Sequence, residues 1–211
     1  TGKKLINRGK NFTLTQEGET FLKYAKKIYA LHCEAFDVFN EPELEGEVNF
    51  GIPEDFASIY LSDVLADFTI IHPRILLNIE CDLTLNLYEK FKNNEFDLVL
   101  VKMNHPEGFP YGQEVWSEPL VWVGDSSLIK DDSPIPLVLS PKPCVYRDSA
   151  IGALDKENKK WRLVFSSSSY ASKTASVKAG RGITVFPKAM IPEKLEIIDS
   201  DKLPVLEDIH V

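Results

Sequence analysis

Four turns hold the residues best placed to do chemistry: Pro53-Glu54-Asp55-Phe56, Asp82-Leu83-Thr84, Ser140-Pro141-Lys142-Pro143-Cys144 and the serine run Ser166 to Ser169. Each follows an apolar run and precedes an amphipathic stretch. In parallel α/β sheets that is where small ligands bind, beyond the carboxyl ends of strands, next to helix N-termini with free amides. The simpler reading of any one of these residues is a helix cap, since Asp, Thr and Ser accept hydrogen bonds from first-turn amides. Convergence of all four turns on one ligand is the sharper reading. Bond-making chemistry has no comparable support: there is no phosphate-binding glycine loop and no nucleophile elbow. The histidines (His32, His72, His105, His210) and cysteines (Cys33, Cys81, Cys144) are scattered, with no metal-ligand spacing. His72, just before Pro73, reads as a structural residue ahead of a strand. No enzyme, metal or cofactor is expected.

The elements that would position these turns alternate. Val48 to Ile52, Phe56 to Phe68, Ile75 to Cys81, Leu83 to Phe91 and Phe96 to Val101 read as strand, helix, strand, helix, strand, a parallel α/β layer. After Pro119 a second series follows: Leu120 to Val123, Leu137 to Leu139, a helix near Tyr146 to Leu154, Trp161 to Phe165, a helix near Tyr170 to Ala179, and Ile183 to Phe186. Two α/β lobes are predicted. Upstream, residues 1–13 have the Gly-containing polar composition of an exposed hairpin, and Thr15 can cap a long helix with Glu17 in its first turn. Along that helix Leu22, Ala25, Tyr29, His32, Phe36 and Phe39 recur at steps of three and four. Such a face either packs on its own domain or forms a dimer seam, and its terminal position favours the seam. Asn40 to Gly46, with Pro42, reads as a hinge.

Charge is unevenly placed. The chain carries −8 overall, yet residues 1–13 hold Lys3, Lys4, Arg8 and Lys10 without an acid, so the other 198 residues carry −12. No apolar run is long enough for a membrane span, and the start lacks a secretory pattern. A soluble protein of the reducing cytoplasm is expected.

The motifs resemble a known family, the LysR-type bacterial transcription regulators. Gly2-Lys3-Lys4-Leu5-Ile6-Asn7-Arg8 followed by Leu14-Thr15-Gln16-Glu17-Gly18 is similar to the end of that family's winged helix-turn-helix, G-x-x-L-F-x-R then L-T-x-x-G. Gly46-Glu47-Val48-Asn49-Phe50-Gly51, Phe96-Asp97-Leu98-Val99-Leu100-Val101 and Ala179-Gly180-Arg181-Gly182-Ile183-Thr184-Val185-Phe186-Pro187 look like its later landmarks. Gly51 to Ala57 and the pair Pro143-Cys144 look most like the LrhA/HexA/PecT branch.

The resemblance implies an N-terminal linker helix followed by two Rossmann-like lobes of the periplasmic-binding-protein type II fold, with an inducer in the cleft between them. Its domains would be a wing remnant (1–13), linker helix and hinge (14–45), regulatory lobe I (46–119), lobe II (120–207) and the start of a return to lobe I (208–211). It implies that Thr1 follows the recognition helix, so that this stretch would contact DNA phosphates through Lys3, Lys4, Arg8 and Lys10 without reading base sequence. It implies homodimers through the linker helix, assembled into tetramers. Carried over by motif, the effector cleft is lined by Asp55, Phe56, Leu83, Thr84, Val101, Lys102, Pro143, Cys144, Val145, Ser168 and Ser169. Many relatives have small hydroxyl residues at the first turn, suited to a carboxylate. Here Glu54 and Asp55 would oppose an anion unless Lys102 or Lys142 offsets them, so a neutral or weakly polar effector is expected. Cys144 lies near the reactive cysteine of the family's peroxide sensors, but Asp148 to Asp155 holds no second cysteine, and a packing or pocket role is expected. The alternative from another class is a stand-alone small-molecule-binding protein of the same fold. It would leave the amphipathic helix behind a basic hairpin without a use.

Overall fold

The computed structural model describes residues 2–7, 13–40, 44–104, 112–131 and 133–211, excepting the side chains of residues 33, 34 and 36–40. The chain divides into two units, 1–46 with 65–76 and 47–64 with 77–211.

In the first unit, β1 (Ile6–Asn7) and β2 (Thr13–Leu14) pair antiparallel, Ile6 opposite Leu14. Helix α1 (Gln16–Asn40) follows, and Thr15 is its cap: Thr15 Oγ1 accepts the Gly18 N–H at 3.0 Å and donates to the Lys4 carbonyl at 2.7 Å. Gly18 is required by close approach, because a Cβ there would lie 2.0 Å from the Leu5 carbonyl oxygen. The L-T-x-x-G spacing is therefore the signature of a helix start pressed onto a hairpin. Among the described side chains of α1, the large apolar ones from Phe21 to Leu31 are uncovered, with Ile28 64% and Tyr29 70% exposed. Of the expected seam, Leu22, Tyr29 and His32 are exposed and Ala25 is half-buried. The side chains of Phe36 and Phe39 lie outside the described residues, as do Arg8, Lys10 and hinge residues 41–43.

From residue 46 the predicted alternation appears as β3 (Gly46–Pro53), α2 (Glu54–Ile71), β4 (Ile75–Asp82), α3 (Thr84–Lys92) and β5 (Leu98–Val99). The strand order is β4-β3-β5, and β3 and β5 are parallel, Phe50 opposite Leu98. The strand expected over Phe96 to Val101 is shorter: only Leu98 and Val99 are in ladder, with flanking bonds from Asp97 N to Asn49 O (2.9 Å) and Leu100 N to Gly51 O (2.8 Å). Two short strands, β6 (Ser117–Glu118) and β11 (Ile209–His210), pair antiparallel, and His210 also exchanges two 2.9 Å backbone bonds with Met103. Ile52, Phe56, Met190 and Val211 form the buried centre of this layer.

The second layer contains β7 (Leu120–Val123), β8 (Ile135–Leu139), α4 (Val145–Lys156), β9 (Trp161–Ser166), α5 (Tyr170–Lys178) and β10 (Thr184–Pro187). β8 and β9 are parallel, and β7 and β10 antiparallel. Val138 N to Ile183 O (2.8 Å) and Ile183 N to Pro136 O (2.9 Å) join the two pairs. Helix α4 buries Tyr146, Ala150 and Leu154, spaced four apart as one helical stripe, against Leu137 and Ile183.

Gly182 sits at that junction. A Cβ there would come within 2.6 Å of the Pro136 carbonyl oxygen and 2.9 Å of Val164 Cγ2. Gly182→Ala is expected to cost about 1–3 kcal/mol of overpacking, at roughly 2–4 °C of melting midpoint per kcal/mol for a chain of this size. An unchanged thermal melt would show that β8 gives way freely. Among the described residues no helix is long and apolar enough to cross a membrane.

Candidate ligand-binding site

The first turn puts Asp55 at the start of α2, 5% exposed. Lys102, just beyond β5 and 7% exposed, reaches both its oxygens, at 2.7 and 2.8 Å. The Thr84 hydroxyl of the second turn accepts the Lys102 backbone N–H at 3.4 Å. Lys102 Nζ stands over the ring of Tyr146, 4.2 Å from its centroid, and 5.3 Å from that of Phe56. Tyr146 is the second residue of α4, so this cation bridges the two layers. Ser140, from the third turn, accepts a 2.8 Å hydrogen bond from Lys173 Nζ on α5, and its carbonyl accepts Arg147 Nη1 at 3.0 Å. Two more bonds cross between the layers: Tyr170 N to Glu54 Oε2 at 2.6 Å, and Ser149 Oγ to Asn104 Oδ1 at 2.9 Å. Lys102 therefore joins the first two turns, and Lys173 ties the third to α5, whose first amide meets Glu54 of the first.

Burial alone would raise Asp55, but the charge and hydrogen bonds of Lys102, with the charge of Lys173, outweigh it and hold the carboxyl below its usual range. Burial lowers Lys173, and the attraction of Asp55 only partly offsets that. Burial, then the Asp55 charge, pushes Tyr146 well above the usual phenol value. Lys102 thus offsets the charge of Asp55, while Glu54 accepts the Tyr170 N–H.

The residues predicted from sequence are not equivalent. Asp55, Phe56, Thr84, Lys102 and Cys144 are buried at the junction or directly beside it. Leu83, Val101, Pro143, Val145 and Ser169 are half-buried, and Ser168 is exposed. Cys144 packs in the second layer's core, and Val101 instead lines a cavity of about 430 Å³ between α3, β5 and His210. Capping explains only some of the turns. Ser169 Oγ accepts the Ser172 N–H at 3.3 Å, whereas the residue before α3 makes no side-chain cap and Thr84 turns toward Lys102. Lys173 and Tyr146 were not singled out from sequence. Lys173 had left a trace: a cation in the first turn of a helix opposes the macrodipole and needs another reason to be there.

Glu54 places a carboxylate at the N-terminus of α5, a favourable charge for a helix dipole. Glu54→Ala is expected to destabilise the chain by about 1–2 kcal/mol and to speed hydrogen exchange at the Tyr170 amide more than at Phe186. Equal exchange at both amides would remove Glu54 as a tie between the layers.

Residues 41–202 match the family model of the LysR substrate binding domain. The chain is 30% identical over 205 residues to the HTH-type transcriptional regulator DgdR of Burkholderia cepacia, covering 96% of this chain and 69% of that protein. It is 26% identical over 209 residues to the HTH-type transcriptional regulator PecT of Dickeya dadantii (strain 3937), covering 98% and 66%. It therefore spans about two thirds of the length of these relatives. Among solved structures, the CcmR regulatory domain of Synechocystis PCC6803, in complex with 2-PG, shares the fold with a TM-score of 0.59 at 19% identity, over 79% of this chain and 88% of that one. With the family model matched over most of its length and the α/β layers in place, the chain belongs to the LysR substrate-binding domain family.

Proposed function

We propose that this chain is the effector-sensing and oligomerising part of a DNA-binding transcription regulator of the LysR type, cytoplasmic and without enzymatic activity. A small molecule enters between lobe I (46–119) and lobe II (120–207), changes their relative geometry, and so changes how the dimer or tetramer presents its helix-turn-helix pairs to DNA. The observation that carries this reading is the buried cluster of Asp55, Lys102, Tyr146 and Lys173, which draws on both layers at the ends of their strands. The uncovered apolar residues Leu22 and Tyr29 of α1 support its role in a homodimer seam. Lys3 and Lys4, exposed on the hairpin, suit phosphate contact in the full-length protein.

The test is a thermal-shift screen of the chain against small metabolites. A ligand at about 100 times its Kd adds roughly 2.7 kcal/mol, which at roughly 2–4 °C per kcal/mol gives a shift of about 5–11 °C. The shift should vanish in Thr84→Val. A shift that survives this change places binding elsewhere, and no shift across the panel overturns the sensing role.

A further inference from the structure

A second cavity lies within the first layer. It encloses about 470 Å³, in the range of small-molecule pockets, between β3, α2, Leu100 and Trp116. None of Asp55, Thr84, Lys102, Tyr146 and Lys173 lines it, and of the residues expected at the effector cleft only Phe56 does. Its walls are apolar: Ile52 and Phe56 are buried, and Val64, 52% exposed, lies at the rim. Three of the walls are aromatic, the Phe56 ring tilted against Tyr60 (centroids 5.8 Å apart) and against Trp116 (5.6 Å). A single lining residue carries charge, the half-buried Glu118 of β6, and no Lys, Arg or His stands beside it there. Glu118 Oε1 accepts the Ala189 N–H, which orients the carboxylate without neutralising it. The Tyr60 phenol registers this negative field: burial first, then the charges of Glu118 and Asp55, raise it above its usual range. Lys102 Nζ, 5.3 Å from the Phe56 centroid, is already ion-paired to Asp55.

We infer that this cavity binds an organic cation, an ammonium group on a small aromatic or alkyl body, with the apolar walls taking the body and Glu118 and the aromatic rings taking the charge. Aromatic faces attract a cation through their quadrupole, and a half-buried carboxylate pairs with it more strongly than in water. An anionic ligand meets the reverse, since Glu118 repels it and no lining residue neutralises it. A neutral apolar molecule fills the space but leaves the Glu118 charge desolvated and unmatched. The site is separate from the effector cleft and stands or falls independently of it. Its walls nevertheless reach the rest of the molecule: Phe56 also lies beneath Lys102, and Glu118 sits on β6, which pairs with β11 where the chain passes between the layers.

The experiment compares thermal melts of the chain, Glu118→Gln, Val64→Trp and Thr84→Val with phenethylammonium, 2-phenylethanol and 3-phenylpropanoate, which share an aromatic body and differ in their polar end. Phenethylammonium is expected to raise the parent midpoint by several degrees, the alcohol by much less and the carboxylate not at all. Glu118→Gln weakens the ammonium by about tenfold, the loss of one charge-assisted contact, and leaves the alcohol unchanged. Val64→Trp fills the cavity from its rim and abolishes both responses while the unliganded chain melts with the parent. If that variant melts well below the parent, Glu118→Gln decides alone. Thr84→Val, changed in the effector cleft, responds as the parent does. An alcohol that shifts the parent as far as the ammonium makes the cavity an apolar slot without charge recognition and overturns the inference. So does an ammonium response that survives in Glu118→Gln, or one lost in Thr84→Val, which moves the cation into the effector cleft and leaves the sensing role standing. A chain that responds to none of the three compounds overturns the inference, and the metabolite screen still decides the effector reading.

Discussion

Lys102→Met is expected to cost the chain about 3–5 kcal/mol, because it leaves the buried Asp55 carboxylate without its ion-pair partner. At roughly 2–4 °C per kcal/mol the melting midpoint should fall by about 6–20 °C. Removing both charges, in Asp55→Asn with Lys102→Met, should cost much less than the sum of the single changes, since replacing a buried pair by neutral groups is often nearly neutral while breaking it is not. The pH dependence has a definite sign. Asp55 lies below its ordinary 3.8 in the folded chain, so the unfolded chain takes up the proton at higher pH. The stability from the pair is therefore complete above about pH 4 and is lost as pH falls through the folded value. In Lys102→Met the carboxyl should titrate higher, and the gap to the parent should narrow on acidification. Denaturant titrations at several pH values measure all of this. A penalty under about 1 kcal/mol would mean that the pair behaves as a surface ion pair.

Phe186→Ala is expected to cost about 3–5 kcal/mol, the loss of a fully buried ring plus the cavity it leaves. The ring also packs against Tyr170, centroids 5.1 Å apart, and forms the apolar floor beneath Lys173, so the damage reaches the candidate site as well as the core. Phe186→Leu, which keeps much of the volume, should cost less than about 1.5 kcal/mol. Urea unfolding of both variants separates the two sizes. Equal penalties would show that the contact with Tyr170 and Lys173, and not volume, sets the stability there.

Both predictions turn on Lys102 and Phe186, and the two were not equally legible. Phe186 was readable: it ends an apolar run in a glycine-flanked motif, and a strand stands at Thr184–Pro187, one residue from the reading. Strand β7 was placed at Leu120 to Val123 and lies there, and α2 extends from the expected Phe56 to Phe68 by two residues at its start and three at its end. These elements are written in local periodicity, with several apolar positions in each carrying the same message. The expected six-residue strand over Phe96 to Val101 shortened to two, because apolar composition marks what can be buried but not how far a neighbour runs beside it. Strands β6 and β11 were not legible, since two residues show no period and their pairing spans more than ninety positions.

The sequence by itself determined the alternation of strands and helices, the cap at Thr15 and the turns that flank the candidate site, because each is decided by residues within a few positions of one another. Tertiary structure alone decided that Lys102 neutralises Asp55 from 47 positions away, that Tyr146 lies beneath that cation, and that Lys173 is buried against Ser140. The physical reason is that charge compensation depends on distance and burial in space, and neither is a property of any short stretch of chain.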